Sequence, residues 1–164
     1  MKITIRLLLV IFLFVTCSND EDNFSCSDSR YTCIPDKIFE QSLIELGIDK
    51  DGTINGQVLT SDVSGITELV LVGRGISDLT GIEDFTALTL LDCYNNQLTS
   101  LDVRNGNNIN FTNFDATGNS NLNCVSVDDA TWATANWTNI DAHTSFSPTR
   151  NYKITGYWYT NLIL

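Results

Sequence analysis

Oxygen-bearing side chains are concentrated in residues 49–54, which read Asp-Lys-Asp-Gly-Thr-Ile. Asp49 and Asp51 fit the third and fifth positions of a calcium-binding EF-hand loop. The first position of such a loop would be Gly47 and the twelfth Val58, so the leading carboxylate and the bidentate glutamate are both missing. The spacing therefore favours a structural turn over the alternative of a calcium site, and we expect no metal.

Catalytic chemistry has little support in the sequence. The single histidine, His143, has no serine or cysteine motif placed to use it as a base. No glycine-rich phosphate loop follows a predicted strand, no H-E-x-x-H motif is present, and the cysteine spacings match no set of zinc ligands. We predict a protein that is not an enzyme and has no cofactor, with His143 on the surface or in a cap.

The first cysteine, Cys17, follows an apolar stretch at residues 3–15 that begins between Lys2 and Arg6. This stretch is shorter than the roughly 20 residues of a membrane-spanning helix, and its basic start is typical of an export signal. The residues before Cys17 resemble the lipobox of bacterial lipoproteins, which implies a lipidated Cys17. An ordinary cleaved signal peptide and an uncleaved anchor are the alternatives.

The acidic run at residues 18–22 resembles the surface-export tag of lipoproteins from Bacteroidetes-type bacteria, and it also fits a disordered tether. An exported chain can form disulfides, and the four cysteines after Cys17 allow three pairings. The pairing of Cys26 with Cys33 is favoured because they lie close in sequence. We expect Cys93 to be an inward-facing free thiol and Cys124 to be buried near the end of the fold.

The elements that position these residues follow from an internal repeat. Leu69, Leu91 and Phe114 begin three similar stretches, 22 and then 23 residues apart. These periods lie within the range of leucine-rich repeats, and the pattern resembles that family. The resemblance implies an α/β repeat solenoid, a short leucine-rich repeat with parallel strands. Asn96 and Asn119 occupy the corner position of the repeat, whereas Arg74 breaks the pattern there.

Alternation along each strand sends every second side chain inward. The inward set comprises Leu69, Leu71, Leu91, Cys93, Phe114 and Ala116. The outward set is the candidate binding surface: Val70, Val72, Asp92, Tyr94, Asp115 and Thr117. Three strands at about 4.8 Å spacing span only about 10 Å, so this surface is small and many copies would be needed for firm attachment.

Both ends of the repeat need covering. A helix from Pro35 to Leu46 is predicted as an N-terminal helical cap, with Phe39, Leu43 and Leu46 on its apolar face and Gly47 at its end. An irregular C-terminal cap is predicted from four bulky apolar residues, with an aromatic platform for sugars as the alternative for the two tryptophans. These residues are Trp132, Trp137, Ile140 and Phe146.

The cap sequence Ile-Pro-Asp at residues 34–36 and the repeat sequence at residues 92–103 resemble leucine-rich surface proteins of Bacteroidetes-type bacteria over residues 34–146. The predicted organisation has six segments. They are a lipoprotein signal peptide (1–16), an acidic disordered tether (17–33), an N-terminal cap (34–62), leucine-rich repeats (63–127), a C-terminal cap (128–146) and an unassigned tail (147–164).

Charge limits the partners. The chain has 9 basic and 20 acidic residues, and removal of residues 1–16 takes away two of the basic ones. Without a basic patch we expect no nucleic-acid partner, and membrane attachment through the N-terminal lipid only.

We therefore predict a lipid-anchored protein of the outer membrane or cell surface, whose repeat mediates protein binding or adhesion to a protein or glycan partner. A structural coat lipoprotein, or a truncated relic of a longer repeat protein without a dedicated ligand, is the alternative.

Overall fold

A computed structural model describes residues 28–148, 151–154 and 157–160. Its elements in chain order are strand β1 (Tyr31–Cys33), helix α1 (Lys37–Glu45), strand β2 (Gln57–Leu59), helix α2 (Thr60–Val63), strand β3 (Glu68–Val70), a 3₁₀ turn (Ile82–Asp84), strand β4 (Leu90–Asp92), strand β5 (Leu101–Asp102), a second 3₁₀ turn (Asn108–Asn110), strand β6 (Asn113–Asp115), strand β7 (Cys124–Ser126), helix α3 (Ala130–Asn136), and strands β8 (Ser145–Ser147), β9 (Asn151–Ile154) and β10 (Tyr157–Thr160).

The repeat forms a parallel sheet of strands β3, β4 and β6. Leu69 pairs in register with Leu91, and Leu91 with Phe114, so the residues one repeat apart in sequence are neighbours in the sheet. All three side chains are buried. The predicted alignment of these residues in a shared interior is confirmed. Parallel strands with this period fit a repeat solenoid, although the described residues do not form a closed one.

A second parallel sheet consists of β5, β7 and β8. Leu101 pairs with Val125, and Val125 with Phe146. The sequence pattern predicted a final strand near residues 122–127, and β7 is that strand, but its neighbours are β5 and β8 rather than the first sheet. Buried side chains from both sheets belong to one apolar core.

Helix α1 begins after Asp36, whose Oδ1 accepts hydrogen bonds from the backbone N–H groups of Ile38 (2.8 Å) and Phe39 (3.1 Å). Phe39 is buried in the core as predicted. The prediction for Leu46 was wrong, because this residue lies at the C-terminal end of the helix and is 44% exposed. The chain leaves the helix there through Gly47, which has a positive φ of 70°.

Strand β1 pairs antiparallel with β2, so residues 31–33, which the sequence pattern placed in the tether, are part of the folded region. This strand lies against Gly81, whose φ is +99°. A side-chain carbon at position 81 would come within 2.4 Å of the Cys33 carbonyl oxygen and within 2.6 Å of the Ile34 side chain. The close approach of the two segments therefore requires glycine.

Residues 49–54 form a turn that bonds largely to itself. Asp51 Oδ1 accepts from the N–H and the hydroxyl of Thr53, both at 2.8 Å, and its Oδ2 accepts from the Asn55 amide. Asp49 is buried, and its Oδ1 accepts from the Asp51 N–H. The oxygens of Asp51 are thus occupied by the loop, which agrees with the structural interpretation.

In the predicted tail, strands β9 and β10 pair with each other as an antiparallel hairpin. No helix among the described residues has both the length and the apolar character that a membrane span requires.

Candidate binding face

Two buried asparagines hold the outward face in position. The Asn96 amide donates to the carbonyls of Leu71 (2.8 Å) and Cys93 (3.0 Å), while its oxygen accepts from the Ile76 N–H (3.0 Å). Each bond to residue 71 or 76 reaches the preceding coil, so one side chain pairs backbone groups of two coils that would otherwise be buried without partners.

Asn119 repeats this arrangement one coil later. Its amide donates to the carbonyls of Cys93 (3.1 Å) and Ala116 (2.9 Å), and its oxygen accepts from the Leu98 N–H (3.1 Å). The side chain is fully buried. The two asparagines therefore form a ladder along the corner of the repeat, as the sequence pattern indicated.

Arg74 occupies the corner position where the ladder would begin. Its Nη1 lies 2.7 Å from Glu45 Oε2 and 3.3 Å from the Ser42 hydroxyl, both on helix α1. The repeat position that carries arginine instead of asparagine is therefore the one where the first coil meets α1.

The outward side chains lie in two rows. Val70 is in register with Asp92, and Asp92 with Asp115. Hydrogen bonds from the Gly73 N–H to the Tyr94 carbonyl and from the Asn95 N–H to the Thr117 carbonyl continue the pairing beyond the strands. This places Val72, Tyr94 and Thr117 side by side in the second row. We call these six residues the candidate face.

Exposure differs across the candidate face. Val70, Val72 and Tyr94 are 43 to 49% exposed, which is high for apolar and aromatic side chains. Asp92 and Asp115 are half-buried, and each uses Oδ1 to accept the N–H of the residue two positions later, Tyr94 at 3.1 Å and Thr117 at 2.9 Å. The carboxylates therefore have fixed orientations beside exposed apolar groups.

Two adjacent negative charges give the face its electrostatic character. Asp92 and Asp115 are neighbours on strands about 4.8 Å apart, and like charges side by side on a sheet are unfavourable. Within the described residues, the ion pairs involve other carboxylates, those of Asp28, Asp62, Glu45 and Asp102. A basic group from outside would thus find two uncompensated charges beside an exposed aromatic ring.

Cys93 lies directly behind this face. Burial, with smaller contributions from Asp92 and Asp115, raises the pKa of its thiol to about 12. The S–H group contacts the Asp115 carbonyl at 3.3 Å. The thiol is therefore neutral and inward-facing, as expected from its position in the strand.

The remaining predicted residues are dispersed. His143 is exposed, and Cys124 is half-buried in β7. Cys33 is in a disulfide. Its predicted partner Cys26 and the predicted lipidation site Cys17 both lie outside the described residues, so those two assignments stay predictions.

Sequence reasoning named Trp132 and Trp137 as an alternative sugar platform but missed that they line a cleft of about 240 Å³ at the C-terminal end of the repeat. It lies between residues 111–114 and residues 132–139, which are separated in the chain. The signal available in the sequence was the concentration of asparagine, threonine and tryptophan in the second segment. The lining residues are Phe111, Thr112, Asn113, Phe114, Trp132, Asn136, Trp137, Thr138 and Asn139.

A buried carboxylate, Glu40, was missed as well. Its Oε1 accepts the backbone N–H groups of Asn55 (2.8 Å), Gly56 (2.7 Å) and Gln57 (3.2 Å), which fixes the loop before β2. The side chain is fully buried. Glutamate is a frequent exposed helix residue, and nothing in its spacing distinguished this one.

Comparison with known proteins finds similarity in the solved structures. No protein-family model matches the chain, and no curated protein does. The similar structures are internalins, a group of leucine-rich repeat proteins.

One is the functional domain of InlJ from Listeria monocytogenes, described as including a cysteine ladder, with a TM-score of 0.49, 22% identity, and coverage of 71% of this chain and 25% of that one. Another is the internalin InlF from Listeria monocytogenes str. 4b F2365, with a TM-score of 0.47, 21% identity, and coverage of 70% and 32%. The chain therefore spans only a quarter to a third of the length of these structures.

Proposed function

We propose that the chain is a non-enzymatic cell-surface lipoprotein whose leucine-rich repeat mediates protein binding or adhesion through the candidate face. The observation that carries the proposal is the pair of in-register rows, which place two adjacent carboxylates next to exposed Val72 and Tyr94. Exposed aromatic and apolar side chains beside fixed charges are what a protein partner can use. A partner surface with lysine or arginine beside apolar groups complements this face.

Caps at both ends belong to the same proposal. Helix α1 at one end is joined to the first coil by Arg74 and by Asp36, whose Oδ2 accepts the Ser77 N–H at 2.8 Å. At the other end, Trp137 stacks on Phe114 with ring centroids 4.2 Å apart. Caps at both ends would limit edge-to-edge association of the repeat.

Attachment to the outer membrane or cell surface is proposed from residues outside the described ranges. Cys17 would carry the lipid, and the acidic residues 18–22 would direct export, as in the Bacteroidetes-type lipoproteins that this segment resembles. Labelling with a fatty acid in cells, with Cys17→Ala as the control, tests the anchor. Protease treatment of intact cells tests which side of the membrane the chain faces.

The small size of the face predicts weak binding by a single copy. Three strands span only about 10 Å. A face this narrow cannot supply the area of about 800 Å² that a standard interface buries on each partner. Many copies on one cell would compensate, because linked weak contacts reinforce one another.

The binding test therefore uses beads that carry many copies of the full chain. Adhesion is measured to immobilised matrix protein, to mucin and to the producing cells, at low and high salt. We expect adhesion that weakens with salt and is lost in the double variant Asp92→Asn, Tyr94→Ala. Asparagine keeps the turn acceptor at position 92 while it removes the charge.

Ile109→Ala is the matched control, because Ile109 is a 64% exposed apolar residue outside the candidate face. Adhesion that survives the double variant, or an equal loss in the Ile109→Ala control, would refute the assignment of the face.

A further inference from the structure

The cleft at the C-terminal end of the repeat has an aromatic floor. Phe111, Phe114 and Trp137 are each at most 8% exposed. Trp137 stacks on Phe114 at 4.2 Å and contacts Phe111 at 5.2 Å. These rings are part of the core, so the floor is rigid, and because they are almost fully covered the accessible lining of the cleft is mostly polar.

Trp132 stands at one side of this floor. Its ring is nearly perpendicular to that of Trp137, at 84° with centroids 5.8 Å apart. Unlike Trp137, Trp132 is only half-buried. A partly exposed indole can cover the apolar C–H face of a small ligand.

Exposed polar side chains surround the aromatic rings. Asn136 donates to the Trp132 carbonyl at 2.8 Å. Within the described residues, the side chains of Asn113, Thr138 and Asn139 form no hydrogen bond. Each amide offers two donors and an acceptor, and the hydroxyl offers both functions. The rim can therefore pair with a ligand rich in hydroxyl groups.

The lining contains no charged residue, although the whole chain has a net charge of −11. An ionic ligand would lose its hydration here without gaining a counter-charge, and an anion would also be repelled by the rest of the protein. The volume of about 240 Å³ is below the roughly 300 to 1,000 Å³ of pockets for drug-sized molecules. These properties select a small, neutral ligand.

An extended peptide fits less well. An extended peptide would bind by pairing its backbone with the outer edge of β6. That edge is already used, since the Ala116 N–H donates to the Asn139 carbonyl at 3.0 Å and Asp115 forms a parallel bridge with Asn139.

We propose that this cleft binds one ring of a neutral sugar, stacked against Trp132 and hydrogen-bonded by Asn113 and Asn139. Asn113 lies on β6, the last strand of the first sheet, so the sugar site adjoins the candidate face but is distinct from it. The site goes beyond the proposed protein-binding function, because it adds a glycan ligand and uses none of the six residues of the candidate face.

The test is a titration of the full chain, labelled with nitrogen-15, with glucose, galactose, mannose and N-acetylglucosamine in turn. We expect at least one sugar to give saturable shifts in the side-chain amide signals of Asn113 and Asn139 and in the indole N–H signal of Trp132. The dissociation constant for a single ring should be about 1 mM.

Substitutions locate the binding. Trp132→Ala should weaken it at least about tenfold, and Trp132→Tyr less, because a ring is retained. Asn139→Ala should weaken it about threefold to tenfold and leaves the backbone bonds of residue 139 in place. Tyr94→Ala, which removes an exposed aromatic residue from the candidate face and should weaken adhesion, should leave sugar binding unchanged and thus separates this site from the proposed function.

Two outcomes would overturn the proposal. The first is the absence of saturable shifts with all four sugars. The second is unchanged binding in a Trp132→Ala protein whose spectrum is otherwise native.

Discussion

The repeat coils and the N-terminal region solve the same problem with different chemistry. In the coils, buried backbone groups are paired by the neutral amides of Asn96 and Asn119. In the N-terminal region, the carboxylates of Glu40 and Asp36 pair backbone N–H groups that are only part-buried or exposed. Amides do not titrate, whereas hydrogen bonds lower the pKa of Asp36, so the comparison teaches that the contribution of Asp36 to stability should fall in acid while those of Asn96 and Asn119 should not.

The largest effect is expected from Asn119→Ala. This change leaves the Leu98 N–H and the Ala116 carbonyl buried without their partner, and each such group costs about 1 to 3 kcal/mol, whereas the Cys93 carbonyl keeps its bond from Asn96. We expect a loss of about 4 kcal/mol in the free energy of unfolding, measured in urea and independent of pH between about 4 and 8. Asn121→Ala, at an exposed position one turn away, should change stability by less than about 0.5 kcal/mol. A marked pH dependence of the Asn119 effect would break the comparison.

The next largest loss of stability is expected from Glu40→Ala. The backbone N–H groups of Asn55 and Gly56 lose their acceptor, while that of Gln57 keeps the Asn55 side-chain oxygen, and we expect a loss of about 3 kcal/mol by the same measurement. Glu40→Gln keeps the accepting oxygen and should recover more than half of the loss. Equal losses in the two variants would show that the charge, and not the hydrogen bonds, is what matters.

Asp36 sharpens the comparison through its pH dependence. Burial alone would raise its pKa, but hydrogen bonds from Ser77, Phe39 and Ile38 outweigh burial and lower the pKa below 3.8. A lowered pKa gives stability that is present above the unfolded value and is lost as the pH falls through the folded value. We expect Asp36→Ala to cost about 2 kcal/mol at pH 7 and less at about pH 2.5, measured by urea unfolding at both values. An equal cost at both would contradict this assignment.

The smallest effect, with the opposite sign, is expected at Asp49. Burial raises its pKa, an effect opposed by the Asp51 N–H and reinforced by repulsion from Asp51, Glu40 and Asp62. Its stabilising contribution is therefore complete below the unfolded pKa and is lost as the pH rises through the folded pKa. Asp49→Asn keeps the Asp51 bond and should stabilise the protein by about 0.5 to 1 kcal/mol at pH 7, with the gain vanishing in acid. Thermal unfolding at the two pH values measures this, and a destabilised variant at pH 7 would show that the charge of Asp49 is needed.

Much of the fold could be predicted because the repeat copies the same demands at a fixed spacing. Leu69, Leu91 and Phe114 are one repeat apart and therefore meet, and alternation then decides which residues point outward. The N-terminal helix was predictable because the spacing of Phe39 and Leu43 is a local signal, although the helix begins at Lys37 after the Asp36 cap and not at Pro35 as predicted.

Other features depend on contacts that no local pattern contains. Strand β5 has only two residues, too few for alternation to appear, and it exists because β7 pairs with it. The burial of Glu40 depends on a loop that returns fifteen residues later. The cleft was missed because its two walls are distant in the chain, and residue types alone could not show that Asn113 and Asn139 face the same space.

Gly81 sets a limit on how this chain can diverge in related organisms. Any side chain there would collide with the backbone of Cys33, and no rearrangement of a flexible neighbour could relieve the collision. Gly65, by contrast, has open space around it and no unusual φ, so other residues can replace it freely. Related sequences should therefore keep glycine at position 81 while position 65 varies. Glycine at position 81 is thus a marker for recognising distant relatives.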